Sequence, residues 1–297
     1  MRFGLLGTGH WAEFTQGAAL VAHPTAELTG VWGRDPAKAA ALAARLKTSV
    51  FEDVGDLFDA VDAVAIALPP HVQAPLAARA AKAGKHLLLD KPLALDPGEA
   101  DEVVETVRRA NVASVVFFTH RFVPAVATAL AEAQRVGGWM AGSVAFLGSI
   151  YHDASPYRES QWRKEHGGLW DVGPHALARL LPVLGPVREV VAVGGARSTT
   201  HVLVRHTSGA VSDMTLTLDA PLAAATLRTV FFGASGVVDV PGDADAVTAF
   251  GVAIDELMEQ AGREHPSHPC DVVFAAEVVR VLAAAARSLR SGRPEEV

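Results

Sequence analysis

Residues 86–92 read His86-Leu87-Leu88-Leu89-Asp90-Lys91-Pro92. Three leucines followed at once by an acid, a base and a proline describe a buried strand that stops abruptly. A short apolar run bounded by breakers is the pattern of a parallel-sheet strand, whose two faces are both covered. In open α/β sheets the ligand sits in the crevice beyond the carboxyl ends of the strands, and Lys91 falls there. Pro92 fixes its own φ and biases Lys91 away from helical backbone, so the ammonium is held rather than left to wander. Taken alone, Lys91 reads first as a solvated turn residue. Its company elsewhere in the chain changes that.

The pattern extends in both directions. Residues 2–7 (RFGLLG) form a first buried strand that runs into Gly7-Thr8-Gly9-His10-Trp11-Ala12. This fits G-x-G-x-x-A: the first glycine permits a tight turn, the second admits a pyrophosphate, and the small third residue lets helix and strand pack closely. The phosphates would then meet the N–H groups of a helix N-terminus. Residues 27–32 are a second strand, and Asp35 is an N-cap with Pro36 at the first position of an alanine-rich helix to about Leu46. A strand at 63–68 ends in Pro69-Pro70, and a helix at 71–83 ends at Gly84. Downstream, Asp96-Pro97 opens a helix to about Arg109, and 114–118 is another strand. Strands alternating with helices predict a doubly wound parallel α/β sheet of Rossmann type over residues 1–120. Leu68, Pro69, Asp90, Lys91 and Pro92, at strand ends, fall on its ligand side.

From 121 to 297 the rhythm changes. A helix over 123–136, a strand near 143–147, a polar aromatic loop at 151–166 and a helix from 170 to 184 come first. Strands near 187–194, 200–206, 210–218 and 226–240 follow, joined by turns such as Thr207-Ser208-Gly209, and helices over 245–262 and 270–290 close the chain. Runs of strands with short turns predict an α+β domain on an antiparallel sheet.

The 297 residues are 50 % hydrophobic, ample for two cores. A net charge of −7 argues against a nucleic-acid or membrane-surface binder. Cys270 is the only cysteine, so no disulfide forms within the chain. No run approaches the ~18–20 apolar residues of a membrane span, and the N-terminus lacks an apolar signal-peptide core. The expectation is a soluble, cytoplasmic protein whose partner is a small molecule.

Two clusters carry chemistry. After the second strand comes Trp32-Gly33-Arg34-Asp35. An acid there would favour the ribose 2′-hydroxyl of NAD, whereas an arginine accommodates the 2′-phosphate of NADP. With Asp35 occupied as N-cap, Arg34 points to NADP, with NAD the alternative. The second cluster is Gly167-Gly168-Leu169-Trp170-Asp171-Val172-Gly173-Pro174-His175. Asp171 and His175 are four apart and share a face on helical backbone, and Pro174 places them at a helix start. A histidine beside a carboxylate suits acid–base work near neutral pH, although a structural His–Asp pair has the same spacing. His152, Asp153 and His166 lie nearby, but no H-x-x-x-H or C-x-x-C framework accompanies them, so no metal site is expected.

Together, G-T-G-H-W-A at 7–12, D-K-P at 90–92, H-R-F-V-P at 120–124, W-R at 162–163 and the 167–175 cluster resemble the Gfo/Idh/MocA oxidoreductases. The resemblance implies an NAD(P)-binding Rossmann domain and a second domain on an open, mostly antiparallel sheet that forms homodimers or homotetramers. It implies hydride transfer on a secondary alcohol or ketone of a sugar or polyol, with Lys91, Asp171 and His175 as the catalytic set. Gly7, Thr8, Gly9, His10, Trp11, Arg34, Leu68, Pro69, Asp90, Lys91, Pro92, Arg121, Trp162 and Arg163 are then cofactor contacts. A cis Lys91–Pro92 bond is a further implication. The chain departs from the family at Ala178, where an aspartate is common, and at Gln73, where a histidine is frequent; it is also shorter in its second half. A dinucleotide-binding regulator that kept the fold and lost turnover is the rival reading.

Overall fold

A six-stranded parallel sheet occupies the opening part of the chain: β1 (Arg2–Leu6), β2 (Glu27–Trp32), β3 (Ser49–Phe51), β4 (Ala63–Ile66), β5 (His86–Asp90) and β6 (Ser114–Phe117). A π-helical stretch, Ala12–Gly17, runs into α1 (Ala18–Ala22) after β1. The strands are then joined through α2 (Pro36–Leu46), α3 (Val54–Ala60), α4 (Pro70–Lys82) and α5 (Pro97–Ala110). The strand order is 3-2-1-4-5-6, so the connections reverse direction between β1 and β4, the switch point where such sheets bind ligands. Leu87, Leu88 and Leu89 of β5 are wholly buried, as a strand covered on both faces requires. The expected N-cap at Asp35 holds, accepting from the amides of Ala37 and Lys38, and Asp96 caps α5 in the same way through Gly98 and Glu99.

After a 3₁₀ turn at Thr119–Phe122 come α6 (Pro124–Val136), β7 (Trp139–Leu147), α7 (Gln161–Asp171) and α8 (Gly173–Leu184). They are followed by β8 (Val187–Gly194), β9 (Thr200–His206), β10 (Val211–Thr217), β11 (Thr226–Gly233), β12 (Gly236–Val240), α9 (Ala246–Ala261), α10 (Val272–Ser291) and β13 (Glu295–Glu296). The second sheet runs 12-11-7-10-9-8-13, antiparallel except where β7 and β10 pair in parallel. Burial along β9 alternates residue by residue, the signature of a sheet covered on one side only. Its uncovered side exposes Val193, Leu203, Val211, Phe232 and Val237.

The computed structural model describes residues 1–297. It divides into one unit of Met1–Phe122 with Asp245–Ala276 and a second of Val123–Ala244 with Glu277–Val297. The sequence suggested a single boundary near residue 120; instead the chain returns to the first unit. The reason lies in α9, whose apolar stripe of Ala249, Phe250, Ala253, Ile254 and Leu257 is buried. Phe250 meets Phe117 of β6 edge-on at 4.9 Å, and the Val116 amide donates to the Cys270 carbonyl at 2.7 Å. No helix is long and apolar enough to cross a membrane.

Other differences are local. The expected strand at 226–240 is a hairpin of β11 and β12, and β7 begins at Trp139. The loop expected to reach residue 166 gives way to α7 at Gln161, while β3 and α3 are additional elements.

Candidate functional site

In the first unit the glycine turn follows β1 directly. Gly7 has φ of 127°, and a Cβ there would lie 2.4 Å from the Ala67 carbonyl oxygen, so only glycine fits. Gly9 is the opposite case: a Cβ would meet nothing within 4 Å. The first helical hydrogen bond runs from the Glu13 amide to the Gly9 carbonyl at 3.1 Å, which leaves the turn's own amides outside the helical ladder. The Trp11 indole nitrogen is enclosed without a protein partner. Open space before a glycine, helix-start amides and an unused buried donor fit a dinucleotide pyrophosphate. Arg34 is exposed just past the end of β2, and Asp35 beside it is engaged in capping α2.

The D-K-P loop is clamped from α4. Gln73 is fully buried. Its amide nitrogen donates to the carbonyls of Asp90 (2.7 Å), Pro92 (3.1 Å) and Leu93 (3.4 Å), while its oxygen accepts from the Asp90 amide at 2.9 Å. The Asp90 carboxylate accepts from the Lys91 amide at 2.8 Å, and Lys91–Pro92 is cis, as the resemblance implies. One carboxamide thus fixes the backbone on both sides of Lys91. Leu68 and Pro69 follow β4, with the Pro69 carbonyl accepting the first hydrogen bonds of α4. Arg121 lies in the 3₁₀ turn after β6, its guanidinium 5.9 Å from the Phe274 ring centre.

The second unit carries the 167–175 cluster. Gly167 has φ of 62° and breaks α7, and a Cβ on Gly168 would lie 2.9 Å from the Thr217 backbone. The glycine pair therefore bends the helix and seats it against β10. Pro174 stands in the first turn of α8 as expected, with His175 after it, whereas Asp171 closes α7; Val172 joins the two helices. The Asp171 carboxylate is nearly enclosed and receives the Arg163 Nε at 2.9 Å. The Arg163 guanidinium lies 4.3 Å from the Tyr157 ring centre and 5.7 Å from that of Trp162, and Trp162 stacks on His166 at 5.6 Å. His175 is buried, with the Phe146 ring 5.9 Å away.

Trp162, Arg163, Asp171 and His175 thus belong to the second unit, while the glycine turn, Arg34, the D-K-P loop and Arg121 belong to the first. Sequence reasoning did not anticipate the Arg163–Asp171 pair or the clamp by Gln73. Gln73 had been noted only as a departure, and its place one turn into α4 (after Pro69-Pro70) was the available signal.

Residues 1–118 match the GFO_IDH_MocA family, described as an oxidoreductase family with an NAD-binding Rossmann fold. The UDP-N-acetylglucosamine 3-dehydrogenase of Acidithiobacillus ferrooxidans is 33 % identical over 127 residues, which cover 42 % of this chain and 39 % of that enzyme. The match therefore spans well under half of that relative's length. The dTDP-3,4-didehydro-2,6-dideoxy-alpha-D-glucose 3-reductase of Streptomyces antibioticus is 26 % identical across 97 % of both chains. Among solved structures, a levoglucosan dehydrogenase complexed with NADH and levoglucosan superposes with a TM-score of 0.86 at 19 % identity, covering 100 % of this chain and 99 % of that one. That last likeness is one of fold. With the glycine turn and the D-K-P loop in place, the first 118 residues match the NAD-binding Rossmann fold of the GFO_IDH_MocA oxidoreductase family.

Proposed function

We propose that the protein transfers hydride between a nicotinamide dinucleotide and a secondary alcohol or ketone of a sugar or related polyol. The observation that carries this is the lysine loop, which Gln73 locks at the carboxyl end of β5 in a sheet that also presents a dinucleotide-binding glycine turn. A nicotinamide dinucleotide held at the glycine turn would supply the hydride chemistry. In the direction of oxidation, the substrate hydroxyl must lose its proton as that carbon loses hydride. His175 takes the proton, and the Asp171 carboxylate, held by Arg163, orients the imidazole and stabilises its charged form. Lys91 donates a hydrogen bond to the same oxygen and stabilises its alkoxide character.

For the cofactor we propose NADP, with NAD as the alternative. This is supported by Arg34, exposed just past the end of β2, and by the neighbouring carboxylate that would favour a 2′-hydroxyl being spent on the helix cap. Assembly through the uncovered side of the second sheet, as a homodimer or homotetramer, is supported by the exposed Val193, Leu203, Val211, Phe232 and Val237. A lone buried cysteine, whose thiol burial pushes up to about 11, suits a reducing cytoplasmic setting.

The test is a titration with NADPH and NADH followed by nicotinamide fluorescence, on the wild type and Arg34→Ala, with a polyol panel assayed on the wild type and Lys91→Ala. NADPH binding weakened in Arg34→Ala, and turnover abolished in Lys91→Ala, are the expected results. Failure to bind either nucleotide would sink the oxidoreductase reading.

A further inference from the structure

A second cavity lies in the first unit, away from the glycine turn. Ser114 is the first residue of β6. In a parallel sheet that places it at the edge opposite the glycine turn, which follows the carboxyl end of β1. A cavity of about 180 Å³ opens there, walled by the end of α5, the start of β6, the end of α9 and the segment leading into α10. All of these residues belong to the first unit.

The buried polar groups around this cavity are paired, with one exception. Asn111 ends α5 in left-handed backbone, and its Nδ2 donates to the Glu264 carbonyl at 2.9 Å. The Val272 amide donates to the Ser114 hydroxyl at 3.4 Å. The Cys270 amide donates to His268 Nδ1 at 3.0 Å, so Nε2 carries the ring proton and donates it to Glu256 at 2.7 Å. The exception is Gln260, which is only 6 % exposed. Its oxygen accepts from the Ser267 amide at 2.9 Å, while its amide nitrogen has no protein partner. That nitrogen is not sealed into the packing, and Gln260 lines the cavity. An unmatched donor on a buried side chain is costly unless a ligand or solvent meets it.

The walls limit what suits that nitrogen. Val104, Val107, Val112 and Val272 give the cavity an apolar body. Its volume slightly exceeds the roughly 150 Å³ of an apolar cavity that takes benzene, which sets the occupant at about six to nine non-hydrogen atoms. Gln260 Nε2 and the Ser114 hydroxyl proton call for a carbonyl oxygen. Asp271 Oδ1 accepts from the Val273 and Phe274 amides at 2.8 and 3.0 Å, which leaves Oδ2 to accept from an N–H. Arg108, the only lysine or arginine in the lining, is held by Glu105 at 2.8 Å. A carboxylate would therefore share the cavity with Asp271 and find no uncommitted cation to offset the repulsion.

We propose that this cavity is a second ligand site, for a small neutral carboxamide with an aliphatic or ring body. The amide oxygen accepts from Gln260 Nε2, the amide nitrogen donates to Asp271, and the body lies against the valines. One wall comes from α5 and β6, the other from the returning segment at 260–273. A ligand joins the two and stabilises the first unit without touching the glycine turn. The site does not depend on the oxidoreductase reading.

The test is a valine-methyl NMR titration of the whole protein with 3-methylbutanamide and with benzamide. Signals of Val107, Val112 and Val272 should shift with a Kd of about 1 mM, equally with and without NADPH. Gln260→Glu keeps the acceptor for Ser267, loses the donor, and should weaken binding at least tenfold. Val107→Phe fills the cavity and should abolish binding, with the thermal midpoint reporting that the fold is intact. Absence of shifts at those valines overturns the proposal, as does unchanged affinity in both variants. If 3-methylbutanoate binds as tightly as its amide, the carboxamide assignment is overturned. Shifts at the same valines that grow with protein concentration, with no amide present, give the cavity to a second copy of the chain and overturn it too.

Discussion

Arg163 reaches back across the break in α7 to hold Asp171, its Nε 2.9 Å from the carboxylate. Because Asp171 is nearly enclosed, removing the guanidinium takes a charge-assisted partner from a buried carboxylate, the costly way to break an ion pair. Arg163→Met should therefore lower kcat/KM at least tenfold and stability by about 2 kcal/mol. Arg163→Lys retains the charge and loses the planar stack on Tyr157, so it should recover only part of the activity. Steady-state kinetics with urea unfolding separates the two effects. A wild-type kcat/KM in Arg163→Met would remove Arg163 from the site.

Gln73 supplies donor and acceptor to the same loop, and no other side chain of its length does both with one planar group. Gln73→Ala should leave four backbone groups around Lys91 short of a partner and cost about 3 kcal/mol. Gln73→Glu should do no better, since a carboxylate cannot donate to the carbonyls of Asp90, Pro92 and Leu93. Both variants should lose kcat more than cofactor affinity, because the damage falls on the lysine loop and not on the glycine turn. Fluorescence titration beside turnover checks that split.

The two glycines of the turn should respond in opposite ways. Gly9→Ala adds a methyl into open space and trims the freedom of the unfolded chain, so stability should hold or rise by about 0.5 kcal/mol. Its affinity for NADPH should nevertheless fall at least tenfold. Gly7→Ala drives a Cβ into the Ala67 carbonyl at a φ of 127° and should destabilise the fold outright. Thermal melts with and without NADPH distinguish these outcomes, and unaltered binding in Gly9→Ala would move the pyrophosphate elsewhere.

Acid should weaken the fold through two histidines. His206 is buried in the second unit, its Nδ1 donating to the Gly185 carbonyl at 2.7 Å. His86 in the first unit accepts from the Ala113 amide at 3.0 Å, which requires an unprotonated Nδ1. Burial lowers both pKa values below the 6.5 of a free histidine. The unfolded chain then binds more protons than the folded one, so stability is full above about pH 6.5 and is lost as pH falls through the lowered folded values. Thermal midpoints between about pH 8 and pH 5 should drop, and His206→Gln should flatten that slope. An equal slope in the variant would assign the acid sensitivity to other groups.

Much of the first unit is legible in the sequence because its signals are local. Leu87 to Pro92 announces strand and stop within seven residues, and Asp35-Pro36 and Asp96-Pro97 mark helix starts by hydrogen-bonding chemistry alone. The return of α9 is not legible, since a stripe of Ala249, Phe250, Ala253 and Leu257 has the same period whichever sheet it covers. One contact of Asp171 was hidden in a similar way. Spacing sets His175 four residues on, and only the backbone of Gly167 shows how α7 bends to bring Arg163 to the same carboxylate.

The interleaved chain also has a consequence for synthesis. The six strands of the first unit leave the ribosome well before the helix that completes their packing, since Val123–Ala244 must be made in between. At roughly 5–20 residues per second that interval is about 6–25 s. For that time Phe117, wholly buried in the finished protein, waits for Phe250 with apolar surface uncovered. The unit left longest with its core open during synthesis is thus the one whose sequence matches an NAD-binding fold.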